Sequence, residues 1–445
     1  MALPYHLLLD PEVKLPPGAV APALRELLTQ GATEDDLAEA HPNTLPELFY
    51  TLQQLRTGNW ILYQLRVEGE VLATVRPIQP GFDFSRRTAG TRDASGLSRF
   101  AFLRRDGQRI LLESPLSPVR IALEDRGVAL LARLKDRSAQ PQALARLLRQ
   151  SGMMETRDDR KYAMWEFHDL LFHVASRIGR ETVGATYRFH GSTTPIRAVK
   201  QPMSARRIVL PAVDLEAISL KDPPLTRVME NRRSRRGPGS RTLTLGQLSQ
   251  FLFRTAHYRR VYRGKWQELV RRPMPAGGAI HELEFYVSVN VCDGLRRGLY
   301  HYHSREHVLY RLPAPPGSVE KLLSAAASAS GAHSAPDVLI TLASRFERIA
   351  WQYGGMAYRT TLLNSGVAVQ TMYLVATAMN LSACAIGNGD PAVFAEATGL
   401  SPCAETSVAE FVLSGSARDH DTLAAVRSLR KGSRVLLPAI IDQSD

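Results

Sequence analysis

Apolar residues return at helical spacing in PALRELLTQ, EDDLAEA and LPELFYTLQQLR, which predicts three short helices before residue 58. WILYQLRV and VLATVRP alternate as strands do, and Glu68-Gly69-Glu70 between them predicts a tight hairpin turn. Three helices followed by a hairpin are winged-helix-like, so residues 1–90 are expected to form one such unit. Residues 82–98, FDFSRRTAGTRDASGLS, break the pattern with Gly, Ser and Arg and read as a linker. FAFLRRDGQRILLES, with the hairpin signal Asp106-Gly107, opens a second winged-helix-like unit expected over 99–160, with helical stretches around 125–136 and 141–150.

Residues 161–224 read as a connector that is aromatic-rich up to His190 and a Pro-containing linker from Thr194 to Pro224. His168 and His173 are five residues apart, which does not place them on one helical face as metal ligands; packing is the expected role. From 225 to 445 the pattern becomes α+β. Strand-like EFYVSVNV, GLYHYH, VLYRL, DVLITLA, CAI and VAEFVLSG alternate with helices, and a mixed sheet flanked by helices is expected. The stretch from about 356 to 379 is a helix apolar nearly all round, which predicts burial on most sides, in a core or against a second subunit.

Composition narrows the class. With 44% apolar and 22% charged residues in 445, the chain is an ordinary globular one. Cys292, Cys384 and Cys403 lack paired ligand spacing, which argues against a disulfide framework or a Cys-rich zinc site and suits a reducing cytoplasm. The N-terminus lacks a signal-peptide pattern and no run is long enough to span a bilayer, so a soluble cytoplasmic protein without membrane association is expected. The net charge of +13 is local: residues 227–272 carry 13 basic and 2 acidic residues, whereas residues 1–90 hold 7 basic and 11 acidic ones. A compact anion accounts for part of that positive stretch, and solvated arginines for the rest. The third predicted helix, where a DNA reader would place its recognition residues, carries only Arg56, so nucleic acid is disfavoured. Peptide addition beside the hairpin, or plain structural packing, fits that unit better.

Three motifs could carry chemistry. Arg232-Arg233-Ser234-Arg235-Arg236 brings together guanidinium groups that either splay into solvent or converge on an anion. Pro273-Met274-Pro275-Ala276-Gly277-Gly278 removes side chains just before a strand, where a flat ligand or a tight turn needs close backbone approach. Ser382 to Gly387 is a small-residue run in which Cys384 reads as a buried apolar residue. In order, NRRSRR, RPMPAGGAIHELEFYV, GLYHYHSREHVLYRL, WQYGGMAYRTTLLNSG and LSACAIGNGD resemble the SagB-type azoline dehydrogenases, the FMN-dependent branch of the nitroreductase fold, over roughly residues 160–420. The front half resembles, more loosely, the peptide-clamp units that precede the oxidase domain in some members.

That resemblance implies FMN as cofactor. Arg232, Ser234 and Arg236 fall where the family holds the FMN phosphate; Pro275, Ala276, Gly277 and Gly278 fall where loop backbone meets the isoalloxazine; Ile386 and Gly387 fall where a second loop covers the flavin. Tyr353 falls on the tyrosine of the family's Lys-Tyr pair, but Gln352 replaces the lysine, and an amide has no usable basicity. Arg348 and Arg359 are candidate substitute cations; Ala276 and Met356 are lesser departures, where the family commonly has Ser and Arg. The implied protein is a homodimeric thiazoline or oxazoline oxidase acting on a peptide, with a cyclodehydratase or carrier protein as possible partner. An NAD(P)H-dependent nitro or quinone reductase and a non-catalytic peptide-binding scaffold are the alternatives.

Overall fold

The computed structural model describes residues 5–15, 17–79, 81–84, 96–155, 161–177, 185–236, 239–332 and 334–416. Most of the expected 82–98 linker, Gly237-Pro238 of the basic motif, residues 178–184 of the connector and residues 417–445 of the last domain lie outside them. The chain divides into two units, 1–184 and 185–445. Among the described residues no helix is long and apolar enough to cross a membrane.

The first unit runs β1 (Tyr5–Leu9), α1 (Ala21–Thr29), α2 (Glu34–Ala40), α3 (Leu45–Thr57), β2 (Ile61–Val67), β3 (Glu70–Pro77), β4 (Phe102–Asp106), β5 (Arg109–Glu113), β6 (Val119–Leu123), α4 (Asp125–Leu130), α5 (Ala139–Gln150) and α6 (Phe167–Ala175). The predicted hairpin turns at Glu68 and Gly69, both at positive φ, as a two-residue primed turn requires. One antiparallel sheet, ordered β1-β2-β3-β6-β5-β4, collects strands from both segments read as separate units. They also share one core: Leu24, Leu52 and Leu65 cluster with Leu112, Ile121 and Leu147. Phe82 and Phe84, which open the expected linker, are buried in that same core.

The second unit runs β7 (Arg207–Val209), α7 (Leu215–Ser219), α8 (Leu225–Asn231), α9 (Leu245–Ala256), β8 (Arg260–Arg263), β9 (Glu268–Arg271), β10 (Leu283–Val289), β11 (Gly298–His303), β12 (Val308–Arg311), α10 (Ser318–Ser330), β13 (Val338–Arg345), α11 (Phe346–Ala350), α12 (Ala357–Ala378), β14 (Leu381–Ile386), α13 (Pro391–Thr398) and β15 (Glu405–Ser416). Its seven-stranded sheet has the order β14-β15-β13-β10-β11-β12-β7. The expectation of a mixed sheet needs correction, because every neighbouring pair is antiparallel. The crossover helix α12 would normally make β13 and β14 parallel neighbours, but the last strand, β15, inserts between them.

Alternation along β10 explains the layers. Phe285 and Val287 pack with Phe251 and Leu252 of α9 and Met372 and Tyr373 of α12, while Tyr286 packs on the other face with Leu322 of α10 and Phe394 of α13. The domain is therefore α+β with helices on both faces. The segment expected as a wrapping linker supplies β7, an edge strand of this sheet. The long helix is buried along one face only; Tyr358, Leu362, Leu363 and Val367 are exposed.

Candidate functional site

The loop between β9 and β10 turns sharply. Gly278, Ala279 and His281 all have positive φ, a conformation that costs non-glycine residues energy and needs neighbours to hold it. Arg272 anchors the loop by donating to Leu283 O at 2.8 Å and Ser304 Oγ at 2.9 Å. Gly277 N–H donates to Asn364 Oδ1 at 3.0 Å, and Asn364 Nδ2 donates to both Glu282 carboxylate oxygens at 3.0 and 3.1 Å. Glu282 is fully buried, and burial pushes its carboxyl above the usual range against the hydrogen bonds from Asn364 and Thr361. His281 is driven down to about 3 by burial and by Arg272 and Arg348, so its ring is neutral.

The predicted pair sits against this loop. A Cβ on Gly278 would lie 2.7 Å from both Gln352 Nε2 and Tyr353 Oη, so only glycine fits. Gln352 is buried; its Oε1 accepts from Gln267 Nε2 at 2.9 Å, and its carbonyl accepts from the backbone N–H groups of Thr186 and Tyr187. Burial raises the Tyr353 phenol, the Gln352 side chain opposes that shift by hydrogen bonding, and Tyr187 and Glu282 add to it. None of these groups is a cation. Arg348 is not available as one, which corrects that expectation: it is fully buried and donates to the carbonyls of Ile280, Ile196 and Glu268 at 2.9, 2.8 and 2.6 Å. Arg359 lies half-buried in the first turns of α12. A cavity of about 680 Å³, lined by Tyr262, Arg272, Pro275, Ala276, Ala279 and His281 among others, borders the same loop.

The basic motif gathers around Tyr373 of α12. Ser234 Oγ is 2.8 Å from Tyr373 Oη, the Arg232 guanidinium lies 5.3 Å from the ring centroid, and Ala385 N–H donates to Tyr373 Oη at 2.7 Å. Arg235 N–H donates to Ala383 O at 2.8 Å, tying the loop to β14. Buried Ile386 ends that strand and Gly387 follows, with open space beside its Cα. Arg236 is exposed.

The sequence-predicted residues thus form two groups joined by α12. Thr360 and Asn364 face the glycine loop, and Tyr373 holds the arginine loop, about 14 Å further along a helix rising 1.5 Å per residue. Sequence reasoning missed Asn364, Glu282, Tyr373 and Gln267. An asparagine in a run as apolar as LLNSGVAV, and glutamates inside the apolar strand HELEFYV, were the available signals.

A phosphate-bearing ligand can be tested against the donor set. Among the described residues, Arg232, Arg235 and Arg236 have no carboxylate at ion-pair distance, and Arg235 Nε is buried without a partner. Guanidinium groups without a carboxylate partner, on the same short loop as a serine hydroxyl, are the donor types a phosphate monoester takes.

Fold and site together define an α+β domain whose candidate chemistry is strung along one central helix. The nitroreductase family model matches residues 229–412. A protein named as a nitroreductase in Methanocaldococcus jannaschii is 34% identical over 174 residues, 39% of this chain and 81% of its own length. The chain belongs to the nitroreductase family, oxidoreductases that generally bind flavin. The model described as cyanobactin oxidase ThcOx matches residues 95–151. The trifolitoxin-processing protein TfxB of Rhizobium leguminosarum bv. trifolii is 27% identical over 157 residues, 35% of this chain and 42% of that protein. A solved nitroreductase-type structure from Ralstonia eutropha superposes with a TM-score of 0.37 at 17% identity, covering 54% of this chain and all of that one.

Proposed function

We propose that the protein is an FMN-dependent oxidase that converts thiazoline or oxazoline rings of a peptide, or peptide-like intermediate, into thiazoles or oxazoles. The carrying observation is the glycine loop seated on Gln352 and Tyr353 near one end of α12, with Arg232 and Ser234 gathered on Tyr373 towards the other. The likeness of residues 95–151 to a cyanobactin oxidase model and of the chain to a trifolitoxin-processing protein supports a peptide substrate.

Aromatisation removes a proton from the ring carbon next to the carbonyl and a hydride from the carbon next to the heteroatom. Bound FMN would accept that hydride and deliver the electrons to oxygen. Arg232, Ser234 and Arg236 would hold its phosphate, with Arg235 supplying a fourth polar group. Gly277 and Gly278, flanked by Pro275 and Ala276, would meet the flat ring edge-on, and Ile386 and Gly387 would close over it. Tyr353 takes the ring proton, and Gln352 orients it by hydrogen bonding. A second copy would cover the apolar face of α12, and a cyclodehydratase or carrier protein would deliver the peptide to the first unit.

The visible spectrum of the purified protein is the first test: a heat-released chromophore identified as FMN, bleached anaerobically by an azoline peptide, is expected. Bound FMN bleached by NAD(P)H and not by azolines would favour the reductase reading, which the identity with the Methanocaldococcus protein supports. A colourless protein that refuses FMN would leave only a binding scaffold.

A further inference from the structure

Residues of the β8–β9 hairpin line both the cavity beside the glycine loop and a second groove. That groove, of about 560 Å³, is lined by Arg197, Tyr262, Arg263, Lys265, Trp266 and Arg305, with Gln267 and Glu268 also in its wall. Among the described residues none of the four basic side chains forms an ion pair. The one acid in the lining, Glu268, already accepts from the Ala198 N–H at 2.8 Å. Trp266 is 40% exposed, with Lys265 Nζ 4.8 Å from its ring centroid and His190 packed edge-on at 4.1 Å. The groove is thus strongly positive and floored by rings.

It also touches the reacting pair. Gln267, buried in the groove wall, donates to Gln352 Oε1 at 2.9 Å, and Gln352 neighbours Tyr353. Two side chains, Gln267 and Gln352, therefore link the wall of the groove to the proposed base. We propose that this groove binds an acidic segment of the substrate peptide that flanks the reacting ring, its carboxylates on Arg197, Arg263, Lys265 and Arg305 and its apolar parts on Trp266 and Tyr262. The inference rests on the azoline-oxidase reading and adds a sequence preference to it.

The test uses the flavin-loaded full chain and two labelled thiazoline peptides that differ only in Asp/Glu against Asn/Gln beside the ring, with binding read by fluorescence anisotropy. The acidic peptide should bind roughly tenfold more tightly at low salt, as a few partly solvated charge pairs allow, and the preference should fade towards about 0.5 M salt. The double variant R263E/K265E should abolish it. Arg305→Glu, on the separate β11–β12 loop, should weaken it independently, so a misfolded hairpin cannot explain both results. Equal binding of the two peptides by the unmodified protein, or a preference that survives both variants, overturns the proposal. Displacement of the acidic peptide by NADP⁺, lost in the same variants, would assign the groove to a dinucleotide and also overturns it. Binding preference is read whether or not the ring is oxidised, so a retained preference with no oxidation of either peptide sinks the oxidase reading alone.

Discussion

Tyr353 accepts a proton only as a phenolate, yet burial raises its pKa and no cation is among the groups that shape it. If Tyr353 is the base, its active form exists above the folded pKa, so kcat/KM for azoline oxidation should still be climbing at alkaline pH. Gln352→Lys, which puts an ammonium beside the phenol, should move that limb to lower pH, and Tyr353→Phe should cut the rate about 10²- to 10⁴-fold while flavin stays bound. An unchanged profile in Gln352→Lys would remove Tyr353 from the base role. Buried Asn364 is a second weak point, because it bonds Gly277 N–H and the Glu282 carboxylate at once. Asn364→Leu should lower stability by about 1–3 kcal/mol in denaturant titrations, the usual cost of orphaning a buried polar group, and should loosen flavin. Glu410 carries a pH signature. Burial and Asp390 push it up to about 7, and its carboxylate sits where a Cβ on Gly389 would have to go. With the folded pKa above the ordinary carboxyl value, its stabilising contribution is full below that value and is lost as pH rises towards 7. Glu410→Gln should therefore raise Tm at pH 8 and leave it nearly unchanged at pH 5.

At the scale of elements, α12 is the part on which the site depends, because one face carries the glycine-loop contacts, the Tyr373 clasp and core residues such as Met372. The expectation of burial on most sides, in a core or against a second subunit, is met within one chain along one face only, because Tyr358, Leu362, Leu363 and Val367 stay exposed. In the first unit, among the described residues, β4 ends the sheet with β5 as its one strand partner, and a peptide could add at that edge as a further strand. If the unit recruits substrate, a precursor bearing its leader should show a KM roughly tenfold or more below that of a short azoline peptide with a similar kcat. Equal KM values would assign this unit to structural packing.

For the whole molecule, α12 exposes Tyr358, Leu362, Leu363 and Val367, and α8, which packs on α12, exposes Leu225 and Met229 at 65% and 55%. If these exposed apolar residues are where a second copy docks, the protein associates in solution. Light scattering should give a dimer, and Leu363→Asp should yield monomers that hold flavin weakly if the cofactor lies at the boundary between copies. A monomeric protein with tightly bound flavin would show that one chain completes the site.

The sequence by itself determined the elements and the kinds of chemistry. Apolar periodicity is a property of neighbouring residues, so the first three helices, the Glu68-Gly69 hairpin, strands β10 to β15 and the long helix were readable, as were the glycine and arginine motifs. Only the tertiary structure decided what meets what. Strand order depends on contacts distant in sequence, so neither the insertion of β15 between β13 and β14 nor the single sheet shared by residues 1–90 and 99–160 could be read from local patterns. Side-chain direction is equally hidden. Arg348 is a candidate cation by sequence yet gives its guanidinium to three carbonyls, whereas Asn364, which sequence reasoning passed over, joins the glycine loop to a buried carboxylate. A charge or an amide is visible in sequence; the partner it satisfies is fixed only when the chain closes around it.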